Sequence, residues 1–300
     1  MRAGGSKKEK VLLANYVEGD VLRLAEQSNV YSCIVRGLVD AVRLDLEGGL
    51  ALDRKEREGK RDPLEMLVTA YSKEVTKTLY RIFSDKDRAG QLMKRASAWV
   101  NEVYASACKV FEAVFLFNFE TVSRLTVHTK NPYMPLEIGL AWHPYMNIPY
   151  IPSTTLRGAL RAYARSSGAS KICGLDLDAA LGTTGKQGML VFFDAVPVDF
   201  QSSLIEPDVV APHYPEVEGR IDEARVRPRP LVFPVVSPGV KFSTVVACKM
   251  YSRVDPQCLM KELASLISDA LRWGIGARTS VGYGYVRVEL VSAGGEGVKR

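Results

Sequence analysis

The feature that most constrains the fold of this chain is a change in its hydrophobic period near residue 114. Before that point, apolar residues recur every three or four positions, as in helices that bury one face. After it, aromatic and β-branched residues cluster in short runs that are typical of strands. The sequence therefore predicts an α+β protein in which a helical first third precedes a mixed core.

Two helices are predicted in the first third. Asp62 and Pro63, followed by Glu65, provide an N-cap, a proline in the first turn and a capping-box acid, so a helix should run from there to about residue 84. A second helix, from about 87 to 111, carries apolar residues at spacings of three and four. We expect both helices to belong to an N-terminal extension.

Six elements follow, in the order strand, helix, strand, strand, helix, strand. The strands are predicted at 114–128, 188–200, 241–251 and 283–291, and the helices at 153–168 and from Asp255 to Gly274. This β-α-β-β-α-β order predicts a ferredoxin-like, RRM-type core with a glycine-rich loop before its last strand. We therefore expect a helical extension (1–112), a core domain (113–292) and a flexible tail (293–300).

The distribution of charge is more informative than its total. Forty basic and 34 acidic residues give a net charge of +6, which does not by itself identify a nucleic-acid-binding protein. However, Asp and Glu are absent from 138–175 and from 270–288, while arginines occur in both windows. Such windows are typical of surfaces that bind polyanions, although chance clustering in loops gives the same pattern.

The cysteines and the N-terminal residues indicate the cellular compartment in which the protein functions. The five cysteines, at positions 33, 108, 173, 248 and 258, form neither a CxxC pair nor a zinc-ligand spacing. We interpret them as small buried apolar residues in a reducing compartment. The chain begins without the apolar core of a signal peptide and contains no apolar run long enough to span a membrane. We therefore expect a cytoplasmic protein with no membrane partner.

Nucleotide-binding and hydrolase motifs fail on particular residues. The stretch "GIGARTSVGYGYVRV" at 274–288 has Thr279 where a dinucleotide fingerprint needs its third glycine, and it follows a helix instead of a strand. At Gly185-Lys186 a P-loop is excluded because Gln187 replaces the metal-binding hydroxyl. The three histidines lie far apart, and the sequence leaves a catalytic Cys–His pair open. We predict no catalytic residue, no metal ligand and no cofactor.

The predicted helix at 153–168 combines features of an anion site. Arg157, Arg161 and Arg165 recur every four residues and fall within an arc of roughly 80°. Three hydroxyl residues open the helix after a proline, namely Ser153, Thr154 and Thr155. A helix N-terminus with hydroxyl groups suits a phosphate. An N-cap followed by a solvated arginine face explains the same residues equally well.

Four segments together resemble the RAMP proteins (repeat-associated mysterious proteins) of CRISPR systems. They are "LEIGLAWHPYMNIPYIPSTTLRGALRAYAR", "LGTTGKQGMLVFFDAVPV", "DVVAPHYPEVEG" and "GIGARTSVGYGYV", and they cover most of 114–290 in the order of the family. The D-x-x-x-P-H-Y element and the helical extension resemble the subgroup that forms the sixth RAMP subunit of type III-B (Cmr) effector complexes. Ser153 and Arg157 replace a glycine and a lysine of the family pattern. Glu137 stands where this subgroup has its own glutamate, so we assign it no catalysis.

The resemblance implies a non-catalytic RNA-binding subunit. It implies binding to the 3′ part of the CRISPR RNA, with target RNA and other RAMP subunits as partners, support of guide-directed target cleavage in antiviral defence, and cleavage by another subunit. It also implies a hairpin or loop that packs over the guide–target duplex. Contacts of this kind hold the RNA backbone without reading its sequence.

The residues that we expect to bind RNA form four groups. Phosphates are expected at the helix start and along its stripe, at Ser153, Thr154, Thr155, Arg157, Arg161 and Arg165. Close approach of the RNA backbone is expected at Gly274, Gly276, Gly282 and Gly284, and contacts to phosphate or 2′-hydroxyl groups at Arg278, Thr279 and Ser280. A further grip on RNA or a neighbouring subunit, or else a solvated loop, is expected at Arg225, Arg227 and Arg229. His143 either supports the 131–152 loop, which we favour, or stacks on a base.

Two other functions stay open at the level of sequence. The first is a RAMP endoribonuclease that processes precursor CRISPR RNA by metal-independent cleavage, with His128 or His143 as the general base. The second is a pure assembly subunit that contacts only protein.

Overall fold

The computed structural model describes residues 11–21, 28–52, 62–211, 230–249 and 254–295. The helices are α1 (Leu13–Tyr16), continued by a π-helical turn (Val17–Val21), α2 (Val30–Leu46), α3 (Pro63–Ser84), α4 (Lys86–Ala107), α5 (Ser153–Ser167), α6 (Leu177–Leu181) and α7 (Pro256–Arg272). The strands are β1 (Val11–Leu12), β2 (Leu50–Ala51), β3 (Ala113–Thr121), β4 (Trp142–His143), β5 (Ile148–Pro149), β6 (Lys171–Ile172), β7 (Leu175–Asp176), β8 (Leu190–Phe192), β9 (Val196–Phe200), β10 (Ile205–Val210), β11 (Leu231–Val236), β12 (Val240–Cys248) and β13 (Val286–Gly294).

The predicted helix starts of the first third are confirmed. The Asp62 carboxylate accepts the Leu64 N–H (3.0 Å), and α3 begins at Pro63. Asp85 caps α4 by accepting N–H groups of its first turn. Side-chain caps of this kind satisfy backbone donors that the helix itself leaves without partners. The second helix ends at Ala107, four residues before the predicted end.

A five-stranded antiparallel sheet is formed by strands that lie between residues 113 and 294. Its strand order is β13-β3-β12-β8, and β9 pairs with β12 further along the same strand. The β12–β3 register runs from Lys241 opposite Glu120 to Cys248 opposite Ala113. Helix α5 connects β3 to β8 in sequence, and α7 connects β12 to β13. The predicted α+β class is therefore confirmed.

Helices α5 and α7 bury their apolar faces against this sheet. The buried side chains of α5 are Leu156, Leu160 and Ala164, and those of α7 include Leu259, Leu263, Ile267 and Leu271. Phe119 of β3 and Phe242 of β12 stack with ring centroids 5.6 Å apart. Fully burying a side chain of this size contributes about 1.5–3 kcal/mol, so these buried side chains stabilise the packing of the two helices on the sheet.

The strands differ from the predicted ones at their ends. The segment predicted as one strand at 188–200 is two strands, β8 and β9, with a break between them. Strand β3 ends at Thr121, and Leu125 then forms an isolated bridge with Val236, the last residue of β11, which lies outside the five-stranded sheet. Strand β13 starts later than predicted and extends to Gly294.

The chain divides into two compact units. One combines 1–82 with 130–140 and 205–235, and the other combines 83–129 with 141–204 and 236–300. The predicted division into an extension (1–112), a core (113–292) and a tail (293–300) stays a prediction. Within the described ranges, every helix is too short or too polar to cross a lipid bilayer.

The expectation that all five cysteines are reduced is wrong for two of them. Cys173 and Cys258 form a disulfide across 85 residues, with their Cα atoms 5.9 Å apart. This pairing cannot be predicted from the sequence, because only the fold places the β6–β7 turn beside the first turn of α7. Cys33 and Cys248 are free and buried, as expected, and Cys108 is free and half-buried.

Candidate nucleic-acid interface

The N-terminus of α5 is capped by Asp194, which lies in the break between strands β8 and β9. The Asp194 carboxylate accepts the Ser153 N–H (2.7 Å), and the Thr155 N–H bonds to the Pro152 carbonyl oxygen (2.8 Å). Asp194 therefore serves as a helix cap that comes from 41 residues away. A phosphate at Ser153 would meet this carboxylate, so the backbone at the helix start offers less to an anion than the sequence implies.

An open cleft of about 660 Å³ lies beside the first half of α5. Its walls are α5, the loop 182–188 and β8, and the residues that line it are Ser153, Thr154, Arg157, Arg161, Gly182, Thr183, Thr184, Gly185, Lys186, Gln187, Gly188, Leu190, Val191 and Phe192. These lining residues include three cations and several hydroxyl groups but no carboxylate. A cleft with this lining is suited to a polyanion.

The loop 182–188 closes on itself at two glycines. A Cβ at Gly188 would lie 2.4 Å from the Gly182 nitrogen, and one at Gly182 would lie 2.6 Å from the Gly188 nitrogen. Thr183 and Lys186 exchange backbone hydrogen bonds (2.9 and 3.2 Å). The resulting turn exposes Thr184 and Lys186 to solvent. Sequence reasoning missed these residues as a binding element, although the glycine pair in "GTTGKQG" was a usable signal.

The three arginines of α5 have different surroundings. Arg157 is exposed and lines the cleft. Arg161 is half-buried, and its guanidinium donates to the Gly182 carbonyl oxygen, so it fastens the loop to the helix. Arg165 lines a neighbouring cleft of about 290 Å³ together with Asp176 and Asp178. The expectation of an arginine stripe without neutralising acids is therefore wrong at the C-terminal end of the stripe, because the fold brings the carboxylates of Asp176 and Asp178 to the cleft that Arg165 lines.

Most glycines of the glycine-rich loop are required by close contacts within the protein itself. A Cβ at Gly276 would lie 2.3 Å from the Thr126 carbonyl oxygen, and one at Gly284 would lie 2.0 Å from the Ile275 carbonyl oxygen. A Cβ at Gly274 would lie 2.8 Å from the Thr279 methyl carbon. Gly282 alone of the four has nothing within 4 Å. Glycine density here thus reflects close packing of the chain on itself, and only Gly282 borders open space.

The residues between these glycines are held in a fixed conformation. Arg278 has φ 64°, and its guanidinium carbon lies 5.1 Å from the centroid of the Tyr283 ring, a cation–π arrangement. Thr279–Val281 form a 3₁₀ turn, in which Ser280 is exposed. The loop therefore presents a positioned cation and a hydroxyl group beside the last strand.

His143 braces the β4–β5 hairpin. Its Nδ1 accepts the Met146 N–H (3.2 Å), and its ring centroid lies 5.3 Å from that of Tyr150. Burial lowers the pKa of His143, and the nearby Asp194 carboxylate opposes that shift. These contacts are those of a supporting residue.

Neither Glu137 nor His128 lines the cleft. Glu137 accepts a hydrogen bond from the Thr69 hydroxyl, and its N–H donates to Ser72 Oγ (3.0 Å), so it anchors its loop to α3. His128 is exposed, with φ 57°. Four residues lie outside the described ranges: His213, Arg225, Arg227 and Arg229.

One group of potential metal ligands occurs among the described residues. Ligand atoms of Cys173, Cys258 and Glu262 lie within 4.8 Å of one another. Because the two sulfur atoms are bonded to each other, they do not provide the thiolates that a zinc site requires.

Comparison with known proteins agrees with these observations. The model of the RAMP superfamily matches residues 118–287. The CRISPR system CMR subunit Cmr6 of Saccharolobus solfataricus is 30% identical over 172 residues, which are 56% of this chain and 56% of that protein. The chain thus spans little more than half the length of this relative.

Solved structures extend the comparison to the fold. A chain in the cryo-EM structure of the type III-B Cmr-beta bound to cognate target RNA aligns with a TM-score of 0.69 and 20% identity, covering 95% of this chain and 98% of that one. At this identity the likeness shows a shared fold. Cmr6 from Pyrococcus furiosus aligns over 58% of this chain with a TM-score of 0.37, which is too low to support an argument. Since the family model matches more than half of the sequence, in a region that contains α5, α7, three strands of the central sheet and the cleft, the chain belongs to the RAMP superfamily.

Proposed function

We propose that this chain is a non-catalytic RNA-binding subunit of a type III-B CRISPR (Cmr) effector complex. In this role it holds the 3′ part of the CRISPR RNA and supports cleavage of target RNA by another subunit in antiviral defence. Its partners are then CRISPR RNA, target RNA and other RAMP subunits. The observation that carries the proposal is the cationic cleft between α5 and the loop 182–188, whose lining includes no carboxylate.

The topology supports this proposal. Strand order β13-β3-β12-β8, with one helix after the first core strand and one after the third, is the arrangement expected of a ferredoxin-like, RRM-type core. The relative named as a Cmr6 subunit and the fold shared with a chain of an RNA-bound complex point in the same direction. We assign the glycine-rich loop 274–284 to the same RNA-binding face of the protein.

The mechanism of binding follows from the chemistry of the cleft. Arg157 and Lys186 bind phosphate oxygens, and the hydroxyl groups of Thr183 and Thr184 donate to phosphate or 2′-hydroxyl oxygens. Arg161 contributes indirectly, because its bond to Gly182 holds the loop at a fixed distance from α5. Such contacts leave the base edges unread, as a protein that accepts any guide requires.

The same geometry favours a non-catalytic role. The residues that line the cleft include no histidine, and metal-independent RNA cleavage needs a general base near the 2′-hydroxyl. His143 is instead occupied in the β4–β5 hairpin. Incubation of the purified chain with CRISPR repeat RNA in EDTA tests this part of the proposal. Specific cleavage that disappears in His143→Ala would establish the endoribonuclease instead.

The RNA-binding role is tested by removing the two exposed cations of the cleft. We expect Arg157→Ala with Lys186→Ala to weaken binding of single-stranded RNA on the order of 10-fold and to lower the slope of log K against log salt by about one per lost phosphate contact. The reconstituted effector complex should lose guide RNA at a lower salt concentration. Filter binding over a salt series measures the first effect, and guide retention on a sizing column measures the second.

The matched control is Lys94→Ala with Arg95→Ala. Both residues are exposed on α4, and neither lines the cleft. This control removes the same two positive charges from the molecule, so it separates a local contact from an effect of net charge. Equal affinities and salt slopes in the cleft variant and the control would reject the cleft as the RNA site. An assembled complex that retains its guide in both would favour an assembly subunit.

A further inference from the structure

Trp273 is unusually exposed for a tryptophan. It caps the C-terminal end of α7 and is 59% exposed. Tryptophan normally buries most of its large ring system. The other two tryptophans follow that rule more closely, since Trp142 is 1% exposed and Trp99 is half-buried against the ring of His143.

The ring of Trp273 is fixed in place. Its centroid lies 5.2 Å from that of Tyr163 on α5, with the two rings nearly perpendicular (85°). The next residue, Gly274, has φ 105° and lets Thr279 pack directly against its Cα, which turns the loop back towards the end of α7. A side chain that is already ordered loses less conformational entropy when a ligand binds.

The surroundings of Trp273 favour an anionic ligand on the side of the glycine-rich loop. Arg272 is exposed beside it, and Arg278 stacks on Tyr283 within the loop. The stretch 270–288 contains no acid. The nearest carboxylate along the helix is that of Asp269, one turn earlier, which accepts a hydrogen bond from the Ser265 hydroxyl (3.4 Å).

We propose that Trp273 is a stacking platform for an unpaired base of single-stranded RNA, with Tyr163 as the residue that positions its ring. An exposed aromatic face next to arginines is the combination that binds single strands, because every base has a π-face and every nucleotide has a phosphate. A protein partner would have to supply acids for the arginines as well as an apolar pocket for the indole. The inference rests on the proposed RNA-binding function and adds to it a contact made with a base.

Intrinsic fluorescence provides a direct test with the full chain. We expect a single-stranded oligoadenylate of about 20 nucleotides to quench the emission of Trp273, since a stacked base lies against the indole. Quenching should persist in Trp99→Phe and disappear in Trp273→Phe. Affinity should fall roughly 10-fold in Trp273→Ala and by less than about 3-fold in Trp273→Phe, which keeps an aromatic face.

The salt dependence distinguishes this contact from the cationic cleft. Trp273→Ala removes no charge, so the slope of log K against log salt should stay at the wild-type value, whereas the Arg157 and Lys186 variant lowers it. Duplex RNA, whose bases are already stacked, should bind wild type and Trp273→Ala equally. Thermal unfolding of each variant verifies that the fold is kept.

Three outcomes overturn the inference. If Trp273→Ala binds oligoadenylate as wild type does while the cleft variant is weakened, the platform is rejected and the proposed function stands. If neither the wild type nor any variant binds RNA, the proposed function fails as well. If Trp273→Ala binds RNA normally but no longer assembles with its partner subunits, the exposed ring serves a protein interface.

Discussion

At the scale of single residues, the glycines of the 274–288 stretch occur for two different reasons. The sequence favours close approach by RNA at all four positions. Three of them are instead required by contacts inside the protein, where a side chain would overlap a backbone oxygen or a threonine methyl group. Gly282, with φ 96° and open space around it, is the position where an external ligand can still be the reason.

Alanine substitutions separate these two causes. We expect Gly284→Ala to lower the free energy of unfolding by several kcal/mol, because its Cβ would lie 2.0 Å from the Ile275 carbonyl oxygen and the backbone would have to move. Gly282→Ala should cost only about 1–2 kcal/mol, the strain of a left-handed conformation. Urea unfolding of both variants measures the difference. Equal losses at the two positions would contradict the packing explanation.

At the scale of elements, the break between β8 and β9 determines how α5 begins. The interruption releases Asp194 from the sheet and directs its carboxylate to the N–H of Ser153. One irregularity in a strand therefore positions the helix that forms a wall of the cleft. The aspartate of the "FFDAVP" segment thus has a structural role that its sequence context alone does not reveal.

A second link between elements is the disulfide. Cys173 and Gly174 form the two-residue β6–β7 turn, both with positive φ, which is typical of a type I′ hairpin. Cys258 lies in the first turn of α7, where the Asp255 carboxylate accepts its N–H (3.2 Å). The bond thus joins a rigid turn to a capped helix start.

Removal of this link should destabilise the chain. We expect Cys173→Ser with Cys258→Ser to lower the free energy of unfolding by about 2–4 kcal/mol, because the cross-link restricts the unfolded chain over a long loop. Urea unfolding with and without a reductant measures the loss, and Cys108→Ser, which removes a free cysteine, is the control. Identical unfolding curves in the presence and absence of reductant would contradict the prediction.

At the scale of the whole molecule, a modest net charge of +6 is distributed unevenly. The acid-free window 138–175 supplies Arg157 to the cleft, whereas the window 270–288 supplies Arg278 and the surroundings of Trp273. Phosphate contacts and a stacked base together give affinity without selecting a sequence. Fold topology and charge distribution therefore both support the proposal that the protein binds RNA of any sequence.

Sequence independence can be measured on the full chain. We expect single-stranded RNAs of equal length and different sequence to bind with affinities within about 3-fold of one another, and all of them to weaken steeply as salt is raised. Competition binding with mixed-sequence oligonucleotides at two salt concentrations provides the measurement. A strong preference for one sequence that persists at high salt would show that base edges are read.

Much of the architecture was predictable because it depends on local patterns. Capping residues and apolar periodicity located the helices that begin at Pro63 and Pro256, and runs of β-branched and aromatic residues located the strands of the central sheet. The arginine at 157 and the acid-free windows were also visible, since charge is a property of the sequence itself.

The rest depends on contacts between residues that are distant in the chain. Only the tertiary structure placed Asp194 at Ser153, joined Cys173 to Cys258, brought the loop 182–188 to α5, and left Trp273 in solvent beside Tyr163. Spacing along the chain carries no information about such pairs. A local pattern favours a helix or a strand through interactions between residues that are close in sequence. Contacts between residues that are tens of positions apart depend instead on how the helices and strands pack together.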